Sequence, residues 1–319
     1  MTIQVLLEDK AMEAKKTILV IGATGAQGGS VARHLLAGNT FKVRGLTRHP
    51  DSEKANALRQ AGAEVVPGDL EDAGSIRAAL KGCYGCFGVT SFWEHFEKEY
   101  GQGRNLVDAV RRSGVEHFVF STLPHCKKIS GGKLEVPHFD MKAQLEEYTR
   151  RLGLKATFVH VAFYYENFLA FLPPHEQEDG SFAFGFPQAD TPLAAVAVED
   201  VGSIVSILFE RPQDYLGKVV GIVGDDLTGD QYAEAMTRIL GTRVVYHHVP
   251  REEFAALGFP GAEDLANMFE FNRFYIPNRR ADVEMCRALN PKMQTFETWL
   301  RSNKGAFVRL FEREHARLH

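Results

Sequence analysis

Two stretches of this chain have residue types and spacings that could do chemistry. The first is "ILVIGATGAQGGSV", which sets Gly22, Gly25 and Gly28 in the order G-x-x-G-x-x-G between an apolar run and an amphipathic one. A strand, a glycine turn and a helix in that order are what a dinucleotide fingerprint requires. Gly22 would make the tight turn, Gly25 would let the backbone approach a pyrophosphate, and Gly28 would let the helix pack close to the sheet. Thr24, Ala26 and Gln27 complete the loop. The free N–H groups and positive end of the helix would then meet the phosphates. The second stretch is "VPHFDMKAQLEEY", in which His138 stands four residues before Lys142. Many enzymes that bind dinucleotides carry a Tyr at that place, as the proton donor beside the nicotinamide. Lys142 could hydrogen-bond the nicotinamide ribose, and its charge would favour an anionic cofactor. His138 could donate a proton near neutral pH. Position alone does not give it that role, and a bland polar histidine is the commoner case.

The end of the second apolar run separates the two nicotinamide cofactors. A site for NAD places an acid about 20 residues after the glycines, on the ribose 2′-hydroxyl. Here the run ends "GLTRHP", with Arg48 after Thr47 and no acid before Asp51. An Arg at that point pairs with a 2′-phosphate, which NADP alone offers. Ligands lie at the carboxyl ends of parallel strands. By that rule "PGDLED" brings Asp69 near the adenine, and "GVTSFW" brings Thr90, Ser91 and Phe92 to the pyrophosphate and nicotinamide ribose. Ser121 and Thr122, ending a later strand, are further candidates to touch the ring region.

The elements that must hold these residues alternate regularly. Apolar strands are expected at "TILVIG", "FKVRGLTR", "AEVVPGD", "CYGCFGVT", "VEHFVFST" and "LKATFVHV". Helices are expected between them, with Gly38 as a plausible C-cap of the first and "NLVDAVRRSG" belonging to the fourth. Six strands with intervening helices imply an α/β fold, a parallel sheet doubly wound by helices on both faces. After Phe163 the rhythm breaks into a proline-rich loop, short strands, and a mostly helical stretch from Arg251 onward. This reads as a smaller α/β C-terminal lobe. Phe307, Leu310 and Phe311 have helical spacing, consistent with a last amphipathic helix or a frayed end.

The four cysteines add little chemistry. Cys83 and Cys86 form a C-x-x-C within an expected strand, where a thioredoxin-type pair would need a helix N-terminus. They read as buried thiols, with no second pair to complete a zinc site. Cys126, in "PHCKK", has basic neighbours that would lower its pKa if exposed, so a redox-sensitive thiol is an expectation to test. His247 and His248 alternate along a strand and suggest no metal site. The chain of 319 residues is 45% hydrophobic with a formal net charge of −4. That balance gives no general reason to expect direct nucleic-acid or membrane-surface binding. No apolar run reaches membrane-spanning length, and "MTIQVLLEDKAMEAKK" lacks the apolar core of a secretory signal. So few cysteines suggest free thiols in a reducing compartment, hence a soluble intracellular protein.

The segments "GATGAQGGSVARHLL", "FKVRGLTR", "GAEVVPGDLED", "HFDMKAQLEEY", "FYYENFL" and "LGFPGAEDLANMF" resemble the NmrA-like proteins, atypical members of the short-chain dehydrogenase superfamily. Within them the likeness is to the NADPH-sensing animal branch, and it runs from about Lys16 to Leu300. The resemblance implies a Rossmann domain over residues 16–162, a smaller lobe over 163–303 with some segments returning to the Rossmann sheet, and a tail over 304–319. It implies NADP(H) as cofactor, bound without robust dehydrogenase activity. It also implies control of regulatory protein partners, such as metabolic enzymes and transcription regulators, by the NADPH/NADP⁺ ratio. A homodimer in the cytoplasm, and also the nucleus, belongs to the same expectation. The alternative it offers is an NADPH-dependent reductase of quinones or small carbonyls. The cofactor contacts it carries over are the loop from Gly22 to Gly28, Arg48, Asp69 with Leu70, Thr90 to Phe92, and Lys142. It adds Tyr164, Tyr165, Glu166 and Asn167, closing over the nicotinamide end. Three departures stand out: Gly101 replaces a phosphate-contacting Lys, "HPDSEK" leaves Arg48 with less basic support, and the first 15 residues and the tail after Asn303 extend beyond the family core.

Overall fold

The short apolar runs become strands because parallel strands covered on both faces must be apolar throughout. The computed structural model describes residues 15–318; the first 14 residues, most of the stretch weighed above as a secretory signal, lie outside the described residues. In chain order the strands are β1 (Thr17–Ile21), β2 (Lys42–Thr47), β3 (Glu64–Pro67), β4 (Gly85–Gly88), β5 (His117–Thr122), β6 (Ala156–Val161) and β7 (Phe163–Tyr164). There follow β8 (His175–Glu176), β9 (Phe182–Phe186), β10 (Leu193–Val196), β11 (Val219–Ile222), β12 (Asp225–Leu227) and β13 (Val244–His248). Helices of the first half are α1 (Ala26–Gly38), α2 (Glu53–Gln60), α3 (Ala73–Leu80), α4 (Phe92–His95), α5 (Lys98–Ser113), α6 (Cys126–Ile129) and α7 (Pro137–Arg151). Those of the second are α8 (Asn167–Ala170), α9 (Val198–Glu210), α10 (Pro212–Tyr215), α11 (Gly229–Leu240), α12 (Arg251–Ala255), α13 (Ala262–Tyr275), α14 (Arg280–Leu289) and α15 (Phe296–Leu318).

The main sheet is parallel, in the order β11-β6-β5-β4-β1-β2-β3. The order reverses between β1 and β4, which opens a crevice at their carboxyl ends. Ile18, Leu19 and Val20 of β1 are fully buried, as a strand between two helical layers must be. Two segments of the second half belong to this layer. Strand β11 adds a seventh strand beside β6, and α9 lies against α1. The α1–α9 approach is close because Gly202 has no side chain: a Cβ there would sit 2.5 Å from Ser30 Oγ. The Gly202 N–H donates to that oxygen at 2.9 Å, and the hydroxyl donates to the Glu199 carbonyl at 2.6 Å.

The second lobe holds two small sheets, β12-β10-β7 and β13-β9-β8, around an aromatic core that includes Phe168, Tyr232, Phe269, Phe296 and Trp299. Helix α15 runs through the stretch expected as a tail. Its Phe307, Leu310 and Phe311 are buried, and Phe311 stacks on Phe182 with centroids 3.8 Å apart. Other boundaries move. Helix α5 begins at Lys98, well before the apolar periodicity of "NLVDAV". The C-cap of α1 is Asn39 in the left-handed region, φ 53°, and not Gly38. Asn tolerates that conformation better than most residues.

Buried His117 on β5 shapes the acid stability of the sheet. Its Nε2 shares a 2.8 Å hydrogen bond with Thr157 Oγ1, and burial lowers its pKa to about 4. The unfolded chain binds a proton on this residue near pH 6.5, whereas the folded chain resists until about 4. Stability from this residue is therefore present above the unfolded value and falls as pH drops from 6.5 to 4. The full shift corresponds to about 3 kcal/mol. Denaturant titrations of wild type and His117→Asn should converge by roughly this amount between pH 7 and 4; parallel pH profiles would contradict it.

Candidate functional site

A cleft of about 1110 Å³ lies over the carboxyl ends of the strands flanking the reversal. Its floor is the glycine turn. Gly22 has φ +63°, where side chains are strained, and accepts a 2.8 Å bond from the Gly25 N–H. A Cβ at Gly28 would sit 2.5 Å from the Ile21 carbonyl oxygen and collide with Gly22 as well, so only glycine lets α1 start there. The N-cap of α1 is Gly25, with no side-chain cap and no acid in the first turn. The positive end of the helix thus faces the cleft uncovered. Gln27 donates to the Tyr164 hydroxyl, while its Oε1 is buried without a partner. Burial pushes the Tyr164 phenol up to about 12. The bare glycine turn and the uncovered positive end of the helix fit a pyrophosphate.

At one end of the cleft, Arg48 lines the wall together with Thr24, Thr47, His49, Ser52 and Lys54. Ser52 caps α2, accepting from the Ala55 N–H at 3.3 Å. Lys54 is the basic neighbour that reading "HPDSEK" as weak support for Arg48 missed; it sits on the first turn of α2, which points it back at the strand ends. Arg48 Nη2 donates to Glu94 Oε2 at 3.1 Å, across the cleft from the turn after β4. Asp69 and Leu70 lie on the same wall; Asp69 Oδ1 accepts from the Glu71 N–H at 2.9 Å and the Leu70 carbonyl accepts from Asn105 at 2.9 Å. This end can hold an adenosine carrying an extra phosphate.

The other end is where the second stretch of interest lands. Lys142 Nζ donates to Thr90 through its carbonyl (3.0 Å) and hydroxyl (2.9 Å), and is paired with Glu99. Glu99, from α5, is fully buried and also accepts from the Thr90 hydroxyl at 2.6 Å. Nothing in the sequence pattern distinguished Glu99 from the other acids of "FEKEYG"; the helix register alone turns it inward. His138 is held in the same manner. Its backbone N–H donates to Asp264 Oδ2 at 3.1 Å, and its Nδ1 pairs with the other oxygen of that carboxylate. Asp264 belongs to α13 of the second lobe, so the His138–Asp264 pair ties the two lobes together. Phe171, Pro260, Leu265, Met268 and Asn272 of the second lobe extend the cleft beyond this pair into a mostly apolar annex.

Most expected contacts converge on the one cleft: Gly22, Thr24, Gly25, Ala26, Gln27, Gly28, Arg48, Asp69, Leu70, Thr90, Ser91, Phe92, Lys142, Tyr164 and Asn167 all line it. Tyr165 and Glu166 do not, and that part of the expectation is corrected. Just past β7, Tyr165 turns into the second lobe, where it is fully buried against Phe296 and Trp299. Glu166 accepts from the Val198 N–H at 3.2 Å and the Trp299 indole at 3.1 Å, a structural brace away from the cleft. Ser121 lines the cleft, whereas the Thr122 hydroxyl turns to Glu146 Oε2 at 2.7 Å.

The thiols are all buried. The expectation of a reactive Cys126 is overturned: burial, and then the carboxylates Asp140 and Asp264, push its pKa far up. The lysines that flank it in sequence point elsewhere, Lys127 to Glu135 and Lys128 to Glu147. Ellman's reagent should react with no more than a trace of thiol in the native protein and with four after denaturation; a fast native phase lost in Cys126→Ser would contradict this. Cys83 precedes β4 and Cys86 lies within it, both raised by burial. Among the described residues no group of His, Cys, Asp and Glu could hold a metal ion.

The NmrA-like family model matches residues 14–300. The chain belongs to the NmrA-like family. Among its relatives, the NmrA-like oxidoreductase FrzB of Cladobotryum sp is 34% identical over 280 residues, covering 80% of this chain and 83% of its own. The negative transcriptional regulator NmrA, solved in complex with NADP, is 27% identical, with TM-score 0.77 over 94% of this chain and 97% of its own. The same regulator has also been solved with NAD. The NADPH-dependent quinone oxidoreductase QOR2 of Escherichia coli shares the fold at 24% identity, with TM-score 0.75 over 92% of this chain and 99% of its own. The NmrA-like chain thus has an NAD(P)-binding fold, and no helix among its described residues is long and apolar enough to cross a membrane.

Proposed function

We infer that this NmrA-like protein binds NADP(H), favours the reduced form, and passes the NADPH/NADP⁺ ratio to protein partners with little or no turnover. Binding rests on the glycine cradle and the Arg48–Lys54–Ser52 wall, and on a regulator of the same family having been solved with NADP. The preference for the reduced form rests on one observation. The described lining of the cleft includes two carboxylates, Asp69 and Glu94, and both stand at the adenosine end. At the other end the lining includes Phe92, Leu123, Phe139 and Phe163, with Ser121, His138, His160 and Lys142 among its polar groups. A cationic nicotinamide ring would meet mostly apolar walls and no lining carboxylate there, which favours the neutral dihydronicotinamide. The lack of turnover is inferred from the polar groups at that end. Lys142 and His138 are each committed to a buried acid, and no Tyr stands where a proton donor is expected.

The lobes meet at this same end through His138 and Asp264, so occupancy would be felt by both. Partners in this reading are regulatory proteins and a second copy of the chain, in cytoplasm and nucleus. A second reading, an NADPH-dependent reductase of apolar quinones or carbonyls, is favoured by the annex lined by Phe171, Leu265 and Met268. Loss of NADPH absorbance with a panel of quinones and aldehydes separates the two. Steady multiple turnover would support the reductase and remove the sensor; binding without turnover is the result expected here.

A further inference from the structure

The turn after β4 carries two side chains that reach in opposite directions. Glu94 points to the adenosine end, where its carboxylate pairs with Arg48 at 3.1 Å. Trp93, its neighbour, points to the second lobe. Its ring lies 5.2 Å from that of His138, and a Cβ on Gly261 would sit 3.0 Å from its Cη2. Only the glycine at 261, with φ +88°, leaves room for the indole. The turn is held under strain: Phe96, closing it, has φ 40° and ψ −114°, a region that a bulky aromatic residue enters only when its surroundings force it. The arginine that would take a 2′-phosphate is thus already paired with an acid, and that acid sits on a strained four-residue helix touching the other lobe.

We propose that Glu94 is an internal competitor for the 2′-phosphate: a phosphorylated dinucleotide displaces it from Arg48, and the released turn moves Trp93 against the second lobe. This rests on the NADP(H) reading of the cleft and adds to it a response to the 2′-phosphate, which NADPH and NADP⁺ share. A phosphate and a carboxylate cannot share one guanidinium fork without repelling each other. A dinucleotide without the 2′-phosphate leaves the Arg48–Glu94 pair in place. The device therefore makes the lobe contact answer to NADP(H) and not to NAD(H), and it costs some affinity for the phosphorylated form.

The probes are adenosine 2′,5′-bisphosphate and adenosine 5′-monophosphate, which carry no nicotinamide, titrated against wild type, Glu94→Gln and Trp93→Phe. Glu94 is 59% exposed, so the substitution leaves folding intact. Glu94→Gln should bind the bisphosphate more tightly, on the order of fivefold, with the monophosphate unchanged. In an Arg48→Ala background the gain should vanish. Wild-type indole fluorescence should change with the bisphosphate alone, and Trp93→Phe, which retains Trp299, should lose that change. Equal bisphosphate affinity in wild type and Glu94→Gln, or a Trp93 signal identical for both nucleotides, overturns the proposal while leaving NADP(H) binding standing. Failure of the bisphosphate to bind any variant sinks the NADP(H) reading, and the proposal with it.

Discussion

Arg48→Ala weakens NADPH binding by about ten- to a hundredfold, the loss of a charge-assisted phosphate contact contributing about 1.5–3 kcal/mol. NADH binding stays within about twofold, because the lost guanidinium has no partner on a ribose hydroxyl that solvent could not replace. The selectivity follows from place. Arg48 stands at the end of β2, on the same wall as Lys54 and Ser52 and away from the glycine turn. Two features bound the effect. Lys54 remains to hold part of the phosphate charge, and wild-type Arg48 must first leave Glu94. Calorimetric titration of both cofactors against both proteins measures it. Equal losses for NADPH and NADH would mean that Arg48 supports the fold of the cleft and does not read the phosphate.

Lys142→Ala destabilises the fold by about 3–5 kcal/mol, whatever it does to binding. The substitution leaves Glu99 fully buried, with one oxygen already unpartnered and the other keeping only the Thr90 hydroxyl. An uncompensated buried carboxylate is costly, while removing both charges is far cheaper. The double variant Glu99→Gln/Lys142→Met should therefore recover most of the lost stability. Urea unfolding of wild type, the single variant and the double variant is the measurement. A single variant as stable as wild type would show that the pair is solvated and that Lys142 is free to serve a ligand. The point bears on any activity test, since a loss of turnover in Lys142→Ala would be read as chemistry when it reports the fold.

The glycine turn and the strand ends were legible from the sequence because their constraints are local. Positive φ at Gly22 and the absent Cβ at Gly28 are properties of the residues themselves, and strand, turn and helix follow one another without a gap. The parallel sheet was legible through its continuous apolar runs. What was not legible depends on long-range register. Glu99 looks like any acid of a polar helix until α5 is docked, and Asp264 meets His138 across 126 positions of sequence. Tyr165 and Glu166 sit beside Tyr164 in the chain, but the backbone leaves the strand after Tyr164 and turns them into the second lobe. Cys126 was misjudged for a related reason: its basic neighbours in sequence are not its neighbours in space. Strand β11 pairs with β6 in the first sheet, a return that the family resemblance implied and no local pattern announces.

The central claim is that this cleft takes NADP(H) and prefers the reduced ring. The most direct test is calorimetric titration of the purified full chain with NADPH and with NADP⁺ under the same buffer and salt. Two dissociation constants differing by about tenfold in favour of NADPH, or about 1.4 kcal/mol, are expected. Equal affinities, or tighter binding of NADP⁺, would contradict the account.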